Sequence, residues 1–230
     1  KKTKSSDPIK LRDYQQQAID AWVKNGYKGF YVMATGTGKT WTAIFSAKRL
    51  IQEHPATIVI CAPYKHLVKQ WSEDVITAFP NAKVIMVFGE NANWENEIKQ
   101  EIIRKKLGNK TQLIIISTIA SFTMDRFKTT LSALHDDKLL IVDEAHRFKE
   151  LTGYIRDTYK YMLGLSATPF SGKSAESGNK LMNFFGGKVF NLPIEDALGK
   201  FLVNYYYHPI YVYATEDEEE RFNGYTPKIA

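Results

Sequence analysis

The residues best suited to chemistry stand in Met33-Ala-Thr-Gly-Thr-Gly-Lys-Thr40, which follows a short apolar run and opens a segment of helical spacing. Gly36 and Gly38 can take backbone angles closed to other residues, so the chain there can turn tightly and point its N–H groups inward. The start of the following helix adds unpaired N–H groups and the positive end of its dipole. Such a cradle suits a polyphosphate. Thr35 and Thr37 fall inside it, Lys39 places a charge between β- and γ-phosphates, and the Thr40 hydroxyl suits Mg²⁺ coordination. The strict P-loop pattern G-x-x-x-x-G-K-[ST] begins with glycine, and this chain has Met33 there.

A second constellation complements the first. Leu139-Leu-Ile-Val-Asp143-Glu144 is an apolar run ending in two carboxylates. Asp143 suits a Mg²⁺ ion held through water, and Glu144 suits orienting and deprotonating an attacking water. A Gly-rich turn or a strand ending in solvated acids is common by itself. The two in this order point to machinery for ATP or GTP hydrolysis, with Lys39, Asp143 and Glu144 as the catalytic set.

These groups need elements to hold them. Apolar, β-branched runs occur at Gly29–Met33, Thr57–Ala62, Lys83–Phe88, Gln112–Ser117, Leu139–Asp143 and Tyr161–Ser166. Most are apolar throughout, the pattern of strands buried on both faces. Helical spacing runs through Tyr14–Val23, Lys39–Ile51, His66–Phe79 and Asn93–Leu107, and more weakly through Ser121–Leu134. Alternating strands and helices predict an α/β fold with a mostly parallel central sheet flanked by helices and joined by right-handed crossovers. Ser171–Asn179 reads as a loop, and a domain boundary is expected near residues 190–205.

Further segments carry a resemblance. Asp143-Glu-Ala-His146 spells a DEAH box, and Leu165-Ser-Ala-Thr-Pro169 looks like helicase motif III. Leu11-Arg-Asp-Tyr-Gln15 resembles the L-R-x-Y-Q stretch that precedes the P-loop. Ala62-Pro-Tyr-Lys-His-Leu-Val-Lys-Gln-Trp71 resembles motif Ia, and Ile116-Ser-Thr-Ile-Ala120 resembles motif Ib. All lie in the family's order, over about residues 9–205. The chain thus resembles the first RecA-like motor domain, a P-loop NTPase fold, of superfamily-two helicases and translocases. MATGTGKT and DEAHR are most similar to the DNA motors of restriction enzymes and repair helicases, and differ from the D-E-x-G-x-G-K-T style of chromatin-remodelling motors.

The resemblance implies roles. Gln15 would read adenine, Arg12 would support that pocket or a phosphate, and Met33 is tolerated at its position. Ser166 and Thr168 would couple the γ-phosphate to nucleic-acid contacts, with His146 linking the DEAH box to motif III or to a partner domain. Nucleic acid would meet Pro63, Tyr64, Lys65 and Gln70 in motif Ia, and Ser117, Thr118 and Ser121 near motif Ib, through phosphate contacts that position a strand without reading it. Each of these is equally a helix cap or a surface residue. Trp71 reads as core, Cys61 as a buried inert thiol, and Tyr205-Tyr206-Tyr207 as packing or linker contacts. Glu97-Ile-Lys99 gives an E-x-K triplet, yet the chain has no Pro-Asp dipeptide, so it reads as helix surface and not as a nuclease.

Composition agrees. Among 230 residues 44% are apolar and 24% charged, which excludes wholesale disorder; a lone cysteine excludes a disulfide framework. No apolar run is long enough for a membrane helix and no secretory signal is visible, so the expectation is a cytoplasmic protein without a membrane partner. The net charge of +6 is uneven: residues 215–230 hold five acids against two bases, which leaves 29 bases and 20 acids, or +9, on the rest. A basic body suits a polyanionic partner.

The family's motor has a second RecA-like domain that brings an arginine finger. Leu192–Val203 resembles the exit from the first domain, so residues 1–204 are expected to form RecA-like domain 1 and residues 205–230 a connection toward the second. The expectation is part of an ATP- and Mg²⁺-dependent DNA helicase or translocase. Restriction or phage-defence subunits are compatible further partners. The alternatives are a DEAH-type RNA helicase and an ATP-gated nucleic-acid clamp that does not translocate.

Overall fold

All six apolar runs form strands in the computed structural model, which describes residues 10–148, 153–169 and 175–203 together with Thr215 and Glu218. They are β1 Lys28–Met33, β2 Thr57–Ala62, β3 Lys83–Val87, β4 Leu113–Thr118, β5 Lys138–Val142 and β6 Tyr161–Ser166, and a seventh, β7 Lys188–Leu192, lies at one edge. The order is β3-β4-β2-β5-β6-β1-β7, and every pairing is parallel. The helices are α1 Asp13–Lys24, α2 Lys39–Glu53, α3 Lys65–Ala78, α4 Trp94–Lys106, α5 Ile119–Phe122, α6 Asp125–Ser132, α7 Gly153–Thr158, α8 Ala175–Phe184 and α9 Ile194–Ala197.

Alternate residues of the central strands feed two cores. Ile58, Ile60, Leu139 and Ile141 join Ala18, Trp22, Ile44 and Trp71 from α1–α3 on one face. Val59, Cys61, Leu140 and Val142 join Trp94, Ile98, Phe127 and Leu181 from α4, α6 and α8 on the other. Hence the strands read as unbroken apolar runs. From β1 to β3 the chain steps toward the β3 edge with α2 and α3 on one face; from β3 to β7 it steps back with α4–α8 on the other. A single crossover hand demands that switch of faces.

Two readings need correction, and one strand was not expected. Ser121–Leu134 is two helices, broken at Thr123–Met124, where the Thr123 hydroxyl bonds Ala120 O (2.9 Å) and Met124 is extended. The expected loop at Ser171–Asn179 is helical from Ala175 onward, while residues 171–174 lie outside the described residues. β7 exposes Lys188 and Asn191, so KVFNL lacks the unbroken apolar run that marks the other strands. Tyr205–Tyr207 also lie outside the described residues.

Candidate functional site

Ligands of open parallel sheets bind beyond the carboxyl ends of the strands. Here β5, β6 and β1 lie side by side, so Asp143, Ser166 and the loop after Met33 emerge at one edge.

The Gly-rich loop is gripped from several directions. β1 is paired on both sides, and Ala34 N donates to Leu192 O of β7 (2.9 Å). The Met33 side chain is fully buried in the core, so the position holds an apolar anchor without touching the loop's open side. Gly36 (φ 84°) and Gly38 (φ 81°) take the left-handed region. The Thr37 hydroxyl is turned inward onto Ala34 O (2.7 Å), and Thr35 is exposed. Lys39 opens α2 and folds its ammonium back onto Met33 O (3.1 Å) and Ala34 O (3.4 Å). Burial lowers its pKa, while Glu144 and Asp143 pull the other way. Thr40 follows in the first turn, partly buried.

Helix α1 clamps this loop, a function its residue types did not announce. Tyr14 donates its buried hydroxyl to Thr37 O (2.7 Å). Gln15 donates to Gly38 O (3.3 Å) and Thr42 Oγ1 (3.1 Å) and accepts from Arg12 N (2.9 Å). Both amide hydrogens of Gln15 thus serve the loop, and the adenine contact expected of it requires those bonds to exchange. Arg12 is exposed, with Nη1 3.4 Å from Phe201 O and its guanidinium over the Phe201 ring. Arg12, Gln15, Gly38 and Trp41 line a cleft of about 220 Å³ beside the loop. Trp41 was missed: an indole at the start of α2 reads as core by type.

Across β6, Asp143 caps β5, its N–H donating to Cys61 O (2.8 Å). Its carboxylate is almost fully buried and held at both oxygens: Oδ1 accepts from Glu144 N and Oδ2 from Trp71 Nε1, each at 2.9 Å. Trp71 is core, as expected, but its polar edge faces the carboxylate. Glu144 sits at φ 45°, ψ 49°, a left-handed conformation that costs a non-glycine residue energy and is concentrated at functional sites. This turn carries the Glu144 side chain back toward the 3₁₀ turn Ala145–Arg147, where its Oε2 lies 3.3 Å from His146 Nδ1. The same nitrogen is 3.0 Å from Ser166 Oγ, which accepts from Thr168 N (3.1 Å). The residues expected to act in coupling thus form one connected chain. Cys61 is fully buried, and burial pushes its thiol pKa up.

The expected nucleic-acid residues divide. Pro63, Tyr64, Lys65 and Gln70 lie at the end of β2 and along α3, with Tyr64 and Gln70 exposed. Tyr64 stacks on His66 and lies under the Arg147 guanidinium (5.2 Å), while Lys65 pairs with Glu90 and covers the Phe88 ring. Near motif Ib two of the three expected residues are buried. Ser117 is fully buried, with Oγ 3.5 Å from Ile60 O. Ser121 is buried too; its N–H and Oγ both face Thr118 Oγ1, which caps α5. The Ser117 hydroxyl thus faces a β2 carbonyl, the Ser121 hydroxyl accepts from the Thr118 hydroxyl, and neither side chain lines a surface. A cavity of about 620 Å³ opens at the opposite end of the strands around Lys28, Lys138 and Lys160, far from this chemistry.

Comparison with known proteins agrees with this geometry. A DNA 3'-5' translocase, XPB2 of Sulfurisphaera tokodaii, is 27% identical over 229 residues, covering 97% of this chain and 45% of that protein. The chain therefore spans about half the length of this curated relative. The Hef helicase domain of Pyrococcus furiosus superposes with a TM-score of 0.57 at 25% identity, covering 79% of this chain and 37% of that one. The type ISP restriction-modification enzyme LlaBIII, solved bound to DNA, shares the fold at a TM-score of 0.62 and 20% identity, over 83% of this chain and 15% of that one. Residues 8–171 match the family described as type III restriction enzyme, res subunit. With the RecA-like sheet, the Gly-rich loop and the Asp143–Glu144 strand end in that span, the chain belongs to this family.

Proposed function

We propose that this chain is the nucleotide-binding half of an ATP-driven motor that moves along DNA. The observation that carries the reading is spatial: Lys39 and the pair Asp143–Glu144 come from two strand ends separated by β6, yet both carboxylates lie close enough to Lys39 to oppose the effect of burial on its pKa. A cation facing two carboxylates beside a glycine cradle suits a phosphate chain and a water to attack it.

In this reading the loop N–H groups and the α2 terminus hold the polyphosphate. Lys39 leaves the carbonyls of Met33 and Ala34 to meet the β- and γ-phosphates, and its charge is then matched. Glu144 orients and deprotonates the attacking water. Mg²⁺, when bound, would neutralise phosphate charge as a Lewis acid. Thr40 and Asp143 would hold it, and one hydroxyl and one carboxylate fit an ion that takes its remaining ligands from phosphate and water. The cleft at Arg12, Gln15 and Trp41 would take the base. His146, Ser166 and Thr168 would report the state of Glu144 to the strand ends, and Tyr64, Lys65, Gln70 and Thr118 would face the DNA backbone. The name of the translocase relative favours DNA over RNA.

Residues 1–204 would form the first motor domain, and a second RecA-like domain would complete the cleft. An arginine finger is worth about 10³–10⁵ in rate, so the 230-residue chain alone is expected to turn over ATP poorly. The test uses the full-length protein with Glu144→Gln beside it. Loss of a general base should lower DNA-stimulated ATP turnover about 10²-fold or more while ATP binding persists. Unchanged turnover would refute Glu144 as the base. ATP-dependent DNA clamping without displacement of a bound strand or roadblock would favour a non-translocating clamp instead.

A further inference from the structure

We infer that Trp71 is a positioning residue for Asp143: its indole N–H fixes the carboxylate in the orientation that receives the metal–nucleotide complex. The inference rests on the reading of Asp143 given above. Trp71 is 1% exposed and lies on α3, while Asp143 follows β5. Packing alone would be served by any large apolar side chain. An indole brings a donor that must be satisfied when buried, and here it is aimed at Asp143 Oδ2 (2.9 Å). The backbone N–H of Glu144 takes Oδ1 at the same distance. Rotation about the Asp Cβ–Cγ bond is otherwise broad and nearly two-fold. Two donors on two different oxygens pin that rotation, and each oxygen keeps a lone pair for a ligand. Donors of this kind behind a metal-binding side chain set affinity through orientation.

The test compares the full-length protein with Trp71→Phe, with a variant carrying benzothienylalanine at position 71, and with Asp143→Asn. Benzothienylalanine keeps the ring shape and replaces the N–H by sulfur. Binding of a fluorescent ATP analogue is followed while Mg²⁺ is titrated, and again in EDTA. The half-saturating Mg²⁺ concentration should rise about tenfold in both Trp71 variants. Nucleotide affinity in EDTA should stay at the wild-type value, while the benzothienylalanine variant melts a few degrees lower because a buried carboxylate oxygen has lost its donor. A packing role alone would lower the melting temperature of Trp71→Phe and leave the Mg²⁺ response of both variants at the wild-type value. A Mg²⁺ response equal to wild type, or tighter, in the benzothienylalanine variant overturns the inference even if Trp71→Phe fails to fold. Asp143→Asn separates the two levels. If it abolishes the Mg²⁺ response and the Trp71 variants do not alter it, only Trp71 is misread. If it too responds normally, the metal reading of Asp143 fails and the Trp71 inference with it.

Discussion

Gly38→Ala tests whether α1 truly grips the Gly-rich loop. Gly38 sits at φ 81°, ψ 33°, where an L side chain costs about 1–2 kcal/mol. A Cβ built there would lie 2.9 Å from Gln15 Nε2, too close to stay. The amide must therefore move away from Gly38 O and Thr42 Oγ1, and losing one net hydrogen bond adds about 1 kcal/mol. The expected destabilisation is about 2–3 kcal/mol, which for a domain of this size lowers the melting temperature by about 4–12 °C. Gly36→Ala is the control. Its φ is 84°, but the new Cβ would meet only the end of Leu202 at 3.1 Å, a flexible neighbour. It should therefore show the backbone cost of about 1–2 kcal/mol and nothing more. The decisive measurement is a double-mutant cycle by urea unfolding. With Gln15→Ala already in place the clash partner is gone, so Gly38→Ala should cost about 1 kcal/mol less than in the wild type. Additivity within about 0.5 kcal/mol would mean that Gln15 does not meet the loop, and the clamp would be wrong.

Two further outcomes follow from the same geometry. Lys39→Met should weaken ATP binding about tenfold or more, the loss of charge-assisted bonds to phosphate. Because burial lowers the folded-state pKa of Lys39, its protonated form opposes folding at neutral pH, and this penalty disappears as pH rises through the lowered value into the ordinary lysine range. The stability of Lys39→Met relative to wild type should therefore fall between neutral and strongly alkaline pH; urea midpoints that keep a constant or widening advantage would contradict the assignment. Gly164→Ala should cost about 1–3 kcal/mol by overpacking, since its Cβ would lie 2.6 Å from Phe30 Cε2 across the β6–β1 seam. A melting temperature at the wild-type value would show that the seam has slack the structure does not contain.

How much was legible in the sequence depended on what fixes each residue. Gly36, Gly38 and Lys39 are constrained by backbone angle and charge at fixed spacing, so type and order alone announce them. The strands inside the sheet, β1 among them, were legible because burial leaves an unbroken apolar run, and edge strand β3 keeps one in Val84–Val87, whereas β7 is interrupted by exposed Asn191. The burial of Ser117 and Ser121 was not legible because a hydroxyl looks the same in sequence whether it faces solvent or an interior partner; only orientation separates the two. Gln15 and Trp71 were seen for their types but not for their partners. Gln15 reaches residues 23 and 27 positions away, and Trp71 one 72 positions away. No local periodicity encodes such contacts.

These long-range contacts also explain why α1 and α3 flank the same face of the sheet. Both belong to the core that borders β1 and β5, the strands delivering the loop and the carboxylates. Each sends buried hydrogen-bonding side chains past the strand ends: Tyr14 and Gln15 onto the loop from α1, and Trp71 onto Asp143 from α3. Helix α3 starts at Lys65, just after exposed Tyr64, so the surface expected to meet DNA and the donor on Asp143 lie on one rigid element about two helical turns apart. Rigid displacement of α3 would move both at once. Such an arrangement ties Asp143 to the expected DNA surface through a side-chain contact that the Glu144–His146–Ser166 chain does not use. Removing Ser166 Oγ should therefore leave the Trp71–Asp143 bond intact, and removing the indole N–H should leave the His146–Ser166 contact intact.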